Sequence, residues 1–360
     1  MSSSRAAVFS GTPGKIDLRD LARPIPRGTE TLVRVLGCTL CGSDLHTFEG
    51  RRIAPIPTIL GHEIVGTIVE FGDDSPRLDL AGVRLQIGDR VTWSIVANCG
   101  ACFFCEHGLP QKCVRAVKYG HEAMRPGQEL LGGLAEHCLL AAGTSIVRIP
   151  DELPLEVACP ASCATATIVA ALEAANDFAG ATVCVLGAGL LGLTACAMAL
   201  ARGAAEVVCV EVQAGRRALA EQFGATHSVA PEEFAGCIDG LTDGRGVDVA
   251  LELSGSPAAF ELVWPLVRIG GTIVLVGSVF PSSPVSVALE QLVRRHLTLR
   301  GVHNYAPAHL LIAVDFLAKY HDQFPFAKLV AEWHELENVA WAFERAREPA
   351  HVRVGVQIGE

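Results

Sequence analysis

The chain has 360 residues, 50% of them hydrophobic, which is enough for two buried cores. A formal net charge of −10 with no long basic run argues against nucleic-acid binding, whose affinity rests on clustered Lys and Arg. The stretch from Met1 to Phe9 lacks a signal-peptide core, and apolar runs such as Val183–Leu186 and Ile273–Val276 are too short to cross a bilayer. A cytoplasmic protein that acts on small molecules is therefore expected, and its 13 cysteines read as thiols and metal ligands rather than disulfides.

Short strands between Gly-rich turns are predicted at Leu32–Gly37, Ile64–Gly72, Asp89–Thr92, Ala135–Leu140 and Ile146–Ile149, which describes a mostly β region. From about Ala181 apolar strands alternate with helices. Strands are predicted at Thr182–Leu186, Val207–Val210, Val247–Leu251 and Thr272–Val276, with helices starting at Leu190 and Gly215. That alternation implies a parallel sheet with helices on both faces. Helices near His309–Lys319 and Leu336–Arg347 and a strand at Arg353–Ile358 close the chain.

The sharpest local signal is Cys99, Cys102, Cys105 and Cys113. Four thiolates this close can complete a tetrahedral shell around one zinc ion and leave no position for substrate; an iron–sulfur cluster is the alternative metal reading. A dispersed set follows: Cys41-Gly-Ser43-Asp44-Leu-His46, then Gly61-His62-Glu63, then Cys163. Two thiolates and an imidazole would leave a tetrahedral zinc one open position, where an alcohol can lose its proton. Singly each residue is weak evidence, since a buried Cys is usually a small apolar filler. The third signal, Gly187-Ala-Gly189-Leu190-Leu191-Gly192, links a strand to a helix and suits a dinucleotide pyrophosphate at the helix N-terminus. Glu211 ends the next strand, where an acidic residue can bind the ribose hydroxyls.

Together these motifs resemble the zinc-containing medium-chain dehydrogenases, the family of liver and yeast alcohol dehydrogenases, sorbitol dehydrogenase and threonine dehydrogenase. The resemblance spans essentially the whole chain. It implies an α/β protein: a mostly β, GroES-like catalytic domain at 1–163 with a structural zinc lobe, a Rossmann domain at 164–303, and a return to the catalytic domain at 304–360. It implies two zinc ions per chain and NAD, with the active site in the cleft between domains and cofactor domains pairing into a homodimer or homotetramer. Cys41, His62 and Cys163 match the catalytic ligands, with Glu63 a neighbouring group or transient ligand. Asp44 matches the carboxylate that orients the ligand imidazole. Ser43 and His46 match the proton relay, and Arg216 a position near the adenosine ribose that complicates the preference for NAD. Gly187, Gly189, Leu190, Leu191 and Gly192 match the cofactor loop.

Substrate identity is the open point. Lys118-Tyr-Gly-His-Glu122 and Gly301-Val-His303-Asn304-Tyr305 resemble a bacterial branch associated with phosphonate catabolism. Arg51 and Arg52 could then read an anionic group, with His303 and Asn304 close to the cleft. Trp93 and Ile95, apolar and placed to line an inner pocket, favour instead a neutral secondary or cyclic alcohol. A non-catalytic zinc and nucleotide-binding protein is the alternative of another class, because a fold does not fix a function.

Overall fold

The computed structural model describes residues 3–175 and 178–359. The chain divides into two compact units, the first made of Met1–Ala166, Ala306–Asp322 and Phe326–Glu360, the second of Thr167–Tyr305 and Gln323–Pro325. It is an α/β protein, with a mostly β first unit and a second unit in which strands and helices alternate.

The first unit is built on a mixed sheet whose central strand, Thr31–Thr39, pairs antiparallel with Glu63–Phe71 on one side. On the other side it meets His137–Leu140 through its first half and Arg353–Gln357 through its last residues. Val33, Val35 and Cys38 on this strand are fully buried and belong to the unit's core with Phe48, Ile68, Leu134, Phe343 and Val354. The ends of three strands therefore meet: Thr39 lies opposite both Glu63 and Gly355, and Arg353 begins the strand that holds Gly355. A smaller antiparallel sheet, Asp17–Ala22 against Ser3–Phe9 against Thr58–Ile59, was not legible in sequence, since Asp17–Ala22 is exposed and carries no apolar alternation.

The second unit carries six parallel strands in the order His227–Val229, Glu206–Val210, Thr182–Leu186, Val247–Glu252, Val267–Leu275, Thr298–Gly301. Thr182–Leu186 is buried along its whole length, which explains its unbroken apolar run. Sequence periodicity did not announce the helix Ala164–Ala174, because Ala-Thr-Ala-Thr-Ile-Val-Ala-Ala-Leu offers no polar face. The last predicted helix starts later than expected, with a 3-10 turn at Leu336–Asn338 before Val339–Ala346.

Candidate active site

Where the three strand ends of the first unit meet, the chain continues from Thr39 into Cys41 and the short helix Gly42–Phe48. Asp44, in the first turn, reaches back to accept the Cys41 backbone N–H at 2.9 Å, which fixes the entry to this helix. Its other oxygen accepts the Gly61 N–H at 3.1 Å and faces His62 Nδ1 at 3.2 Å. Asp44 thus ties the Cys41 segment to the His62 segment and, by holding Nδ1, makes Nε2 the nitrogen that can act as a ligand. Ser162 donates to the His62 carbonyl at 3.2 Å and so anchors the turn that presents Cys163. The result is that the ligating atoms of Cys41, His62 and Cys163 all lie within 4.8 Å of one another.

The three ligand groups perturb one another. A hydrogen bond from Cys163 holds the Cys41 thiol well below its ordinary range, against burial and with help from the Arg353 charge, while the same contact pushes Cys163 up. Burial pulls the His62 imidazolium down, yet the Asp44 carboxylate lifts it to about 10. Ser43 Oγ lies 3.4 Å from His62 Nε2, and His46 sits half-buried in the last turn of the same helix. His46 is held below its ordinary value by burial and then by the Arg51 charge.

Glu63 is outside this ligand cluster. Its carboxylate is fully buried and accepts Thr39 Oγ1 at 2.6 Å, Arg353 Nε at 3.1 Å and Arg353 Nη2 at 3.2 Å. Arg353 also points Nη2 at Cys41 Sγ, 3.6 Å away. Sequence reasoning missed Arg353, and no local pattern could have found it, because the contact depends on strand register across 290 residues.

The four thiols of Cys99, Cys102, Cys105 and Cys113 form a second cluster within the same 4.8 Å limit. Backbone N–H groups of Cys99 and Arg115 both donate to Cys113 Sγ at 3.3 Å, an arrangement that stabilises thiolate. Cys99 is drawn down to about 6 by the Ala101 N–H and then by Arg115. Among the described residues these are the two groups with metal-ligating geometry. An all-thiolate set and a two-thiolate, one-imidazole set are both zinc donor sets. The seven remaining cysteines are buried or half-buried elsewhere.

In the second unit, Gly187 takes φ +98° at the end of the first strand, and Gly192 lies so close to the Gly187 carbonyl that a Cβ there would clash at 1.8 Å. These two glycines let the helix Leu190–Ala201 start hard against the strand, while Gly189 at its N-cap faces open space. Leu190 is buried and Leu191 half-buried in the first turn. Glu211 is buried, with one oxygen on the Ala188 N–H at 2.8 Å and the other on the Gln213 N–H at 2.9 Å. Arg216 is half-buried in the first turn of Ala214–Gln222, and Arg217 is spent on the carbonyls of Glu211 and Val212.

The residues expected to read substrate separate. Arg51 is exposed and ion-paired with Glu49, whereas Arg52 is half-buried. Trp93 is buried in the core of the first unit against Tyr119, ring centroids 6.0 Å apart, and Ile95 is buried beside it in sequence. His303 and Asn304 belong to the second unit, His303 exposed and Asn304 at φ +59°.

Comparison with known proteins places these features in context. Residues 27–151 match the family described as alcohol dehydrogenase GroES-like domain, and residues 191–319 match the one described as zinc-binding dehydrogenase. A geraniol dehydrogenase of Castellaniella defragrans is 30% identical, the match covering 92% of this chain and 91% of that one. The crystal structure of an alcohol dehydrogenase from Thermotoga maritima superposes with a TM-score of 0.92 at 29% identity, covering 99% and 100% of the two chains. A putative zinc-binding dehydrogenase from Sinorhizobium meliloti, solved with NADP bound, gives a TM-score of 0.85 at 27% identity, covering 99% and 100%.

Proposed function

The chain belongs to the family of zinc-dependent medium-chain alcohol dehydrogenases, and on that premise we propose that it moves hydride between the carbon of a small alcohol and NAD. The observation that carries this reading is the convergence of Cys41, His62 and Cys163 from three separate segments onto one point. Zinc held there supplies a Lewis acid that lowers the pKa of an alcohol or polarises a carbonyl in the reverse direction. A second zinc, enclosed by Cys99, Cys102, Cys105 and Cys113, contributes folding free energy.

The chain's own groups divide the remaining work. Asp44 holds the His62 ring by Nδ1. Ser43, beside His62, takes the alcohol proton and passes it toward His46, which releases it to solvent. Arg353 opposes the burial that raises the Glu63 pKa and lends positive charge to the Cys41 thiolate. The Gly187–Gly192 turn receives the pyrophosphate, and Glu211 accepts the ribose hydroxyls, which disfavours a 2′-phosphate. The protein is expected to act as a homodimer or homotetramer in the cytoplasm. The test is alcohol-dependent reduction of NAD, followed by absorbance of the reduced nicotinamide, in wild type and Cys163→Ser. Turnover is expected only in wild type, and equal turnover in the variant would remove Cys163 from the site.

A further inference from the structure

Two cations lie next to the Cys41–His62–Cys163 cluster without a role in the chemistry so far described. Lys118 ends the short strand Val117–Lys118, which pairs with Val96–Ala97. The turn after it is pressed onto the His62 loop: Gly120 takes φ +73°, and a Cβ there would lie 2.7 Å from the Gly61 carbonyl. His121, from the same turn, is buried with its ring centroid 5.0 Å from that of His62. Its Nδ1 is engaged with the Tyr119 carbonyl at 2.8 Å. Arg52 comes from a different segment, its backbone N–H bound to the His46 carbonyl at 3.0 Å just past the helix that carries Ser43.

Both cations are half-buried, and neither the Lys118 ammonium nor the Arg52 guanidinium has a hydrogen-bond acceptor or a paired carboxylate among the described residues. The nearest carboxylate in sequence, Glu122, accepts the Lys118 backbone N–H at 3.0 Å. The neighbour Arg51, by contrast, is ion-paired with Glu49. Burial is the first cause that lowers the pKa of each, and the Arg52 charge lowers that of Lys118 further. His121 is pressed far below its ordinary value by burial and by His62, Lys118 and Arg52, so its ring is neutral, and with the Nδ1 proton given to the Tyr119 carbonyl its Nε2 is an acceptor.

Glu63 is matched by Arg353, and two thiolates would be matched by a divalent ion, which leaves Asp44 as the carboxylate acting on Arg52 and none acting on Lys118. Half-buried, unpaired cations are costly unless something anionic meets them. We propose that Lys118 and Arg52 form an oxyanion seat beside the Cys41–His62–Cys163 cluster, for a substrate that carries a phosphonate, phosphate or carboxylate group near its alcohol. The inference rests on the dehydrogenase reading, which it deepens by assigning a substrate class and Lys118 as its determinant.

The test has two arms. In the first, ethylphosphonate and propionate, which have the anion but no hydroxyl, are titrated calorimetrically into the zinc-loaded enzyme and its Lys118→Met and Lys118→Arg variants. Binding should weaken about tenfold or more in Lys118→Met and largely return in Lys118→Arg, as expected for a lost charge-assisted hydrogen bond. In the second, the ratio of kcat/KM for hydroxyethylphosphonate to that for propanol should fall by about tenfold in Lys118→Met and stay unchanged in Arg51→Gln. Lys118→Gln repeats both measurements should Lys118→Met melt early. No binding of either anion to wild type, or undiminished binding to both neutral variants, with the anion on the metal alone, overturns the seat. A wild-type ratio of about one or less does so as well. Absence of turnover with every alcohol would overturn the dehydrogenase reading separately, and the titration would still decide the seat.

Discussion

Replacing Arg353 by Leu should destabilise the first unit strongly, and in a manner that depends on pH. Glu63 is fully buried and Arg353 nearly so, and they share two hydrogen bonds of 3.1 and 3.2 Å. Removing one partner of a buried pair strands the other charge and costs about 3–5 kcal/mol. Thr39 still donates to Glu63 at 2.6 Å, so the lower end, about 3 kcal/mol, is expected near pH 8. Burial already raises the Glu63 pKa above its ordinary 4.5, with Arg353 opposing that rise. In the variant it rises further, so between the unfolded and folded pKa values the folded chain binds the extra proton. Stability then falls as pH rises through that window, by up to about 1.4 kcal/mol per unit, and is level above it. The deficit should therefore shrink as pH is lowered from about 8 toward 5. Urea unfolding at both pH values, followed by the fluorescence of Trp93, Trp333 and Trp341 in the first unit, measures it. The double variant Arg353→Leu with Glu63→Leu should recover much of the loss, because no charge is left stranded. A deficit below about 1 kcal/mol at high pH, or one equal at both pH values, would refute the reasoning.

Two further substitutions probe the cofactor and proton paths. His46→Gln should depress turnover most at low pH, because proton release then depends on hydroxide and water while His46, held below its ordinary value, would stay a base into mildly acidic solution. A pH–rate profile parallel to wild type would return His46 to the role of a plain surface group. Glu211→Gly should narrow the preference for NAD over NADP, read as the ratio of the two kcat/KM values, by removing the carboxylate that repels a 2′-phosphate. Wild-type enzyme that already favours NADP would show that Glu211 is occupied by its bonds to Ala188 and Gln213 and does not select the cofactor.

What the sequence determined by itself was whatever is local. The four cysteines from Cys99 to Cys113 close on one another because a short loop can hardly do otherwise, and their spacing was readable at once. The strand, glycine turn and helix from Thr182 to Ala201 were legible for the same reason: Gly187 and Gly192 meet demands set by their immediate neighbours. Cys41, His62 and Cys163 were individually weak and came together in sequence only through family resemblance. In the molecule they meet because Asp44 and Ser162 tie their segments to the His62 loop. Arg51 and Arg52 are adjacent and chemically identical, so no pattern could say which is spent on Glu49 and which keeps its charge unpaired. Tertiary structure alone decided Arg353 and Lys118. One is delivered by the register of a C-terminal strand against Thr31–Thr39, the other by a turn that packs on the backbone of Gly61, and both contacts depend on chain paths that sequence spacing does not encode.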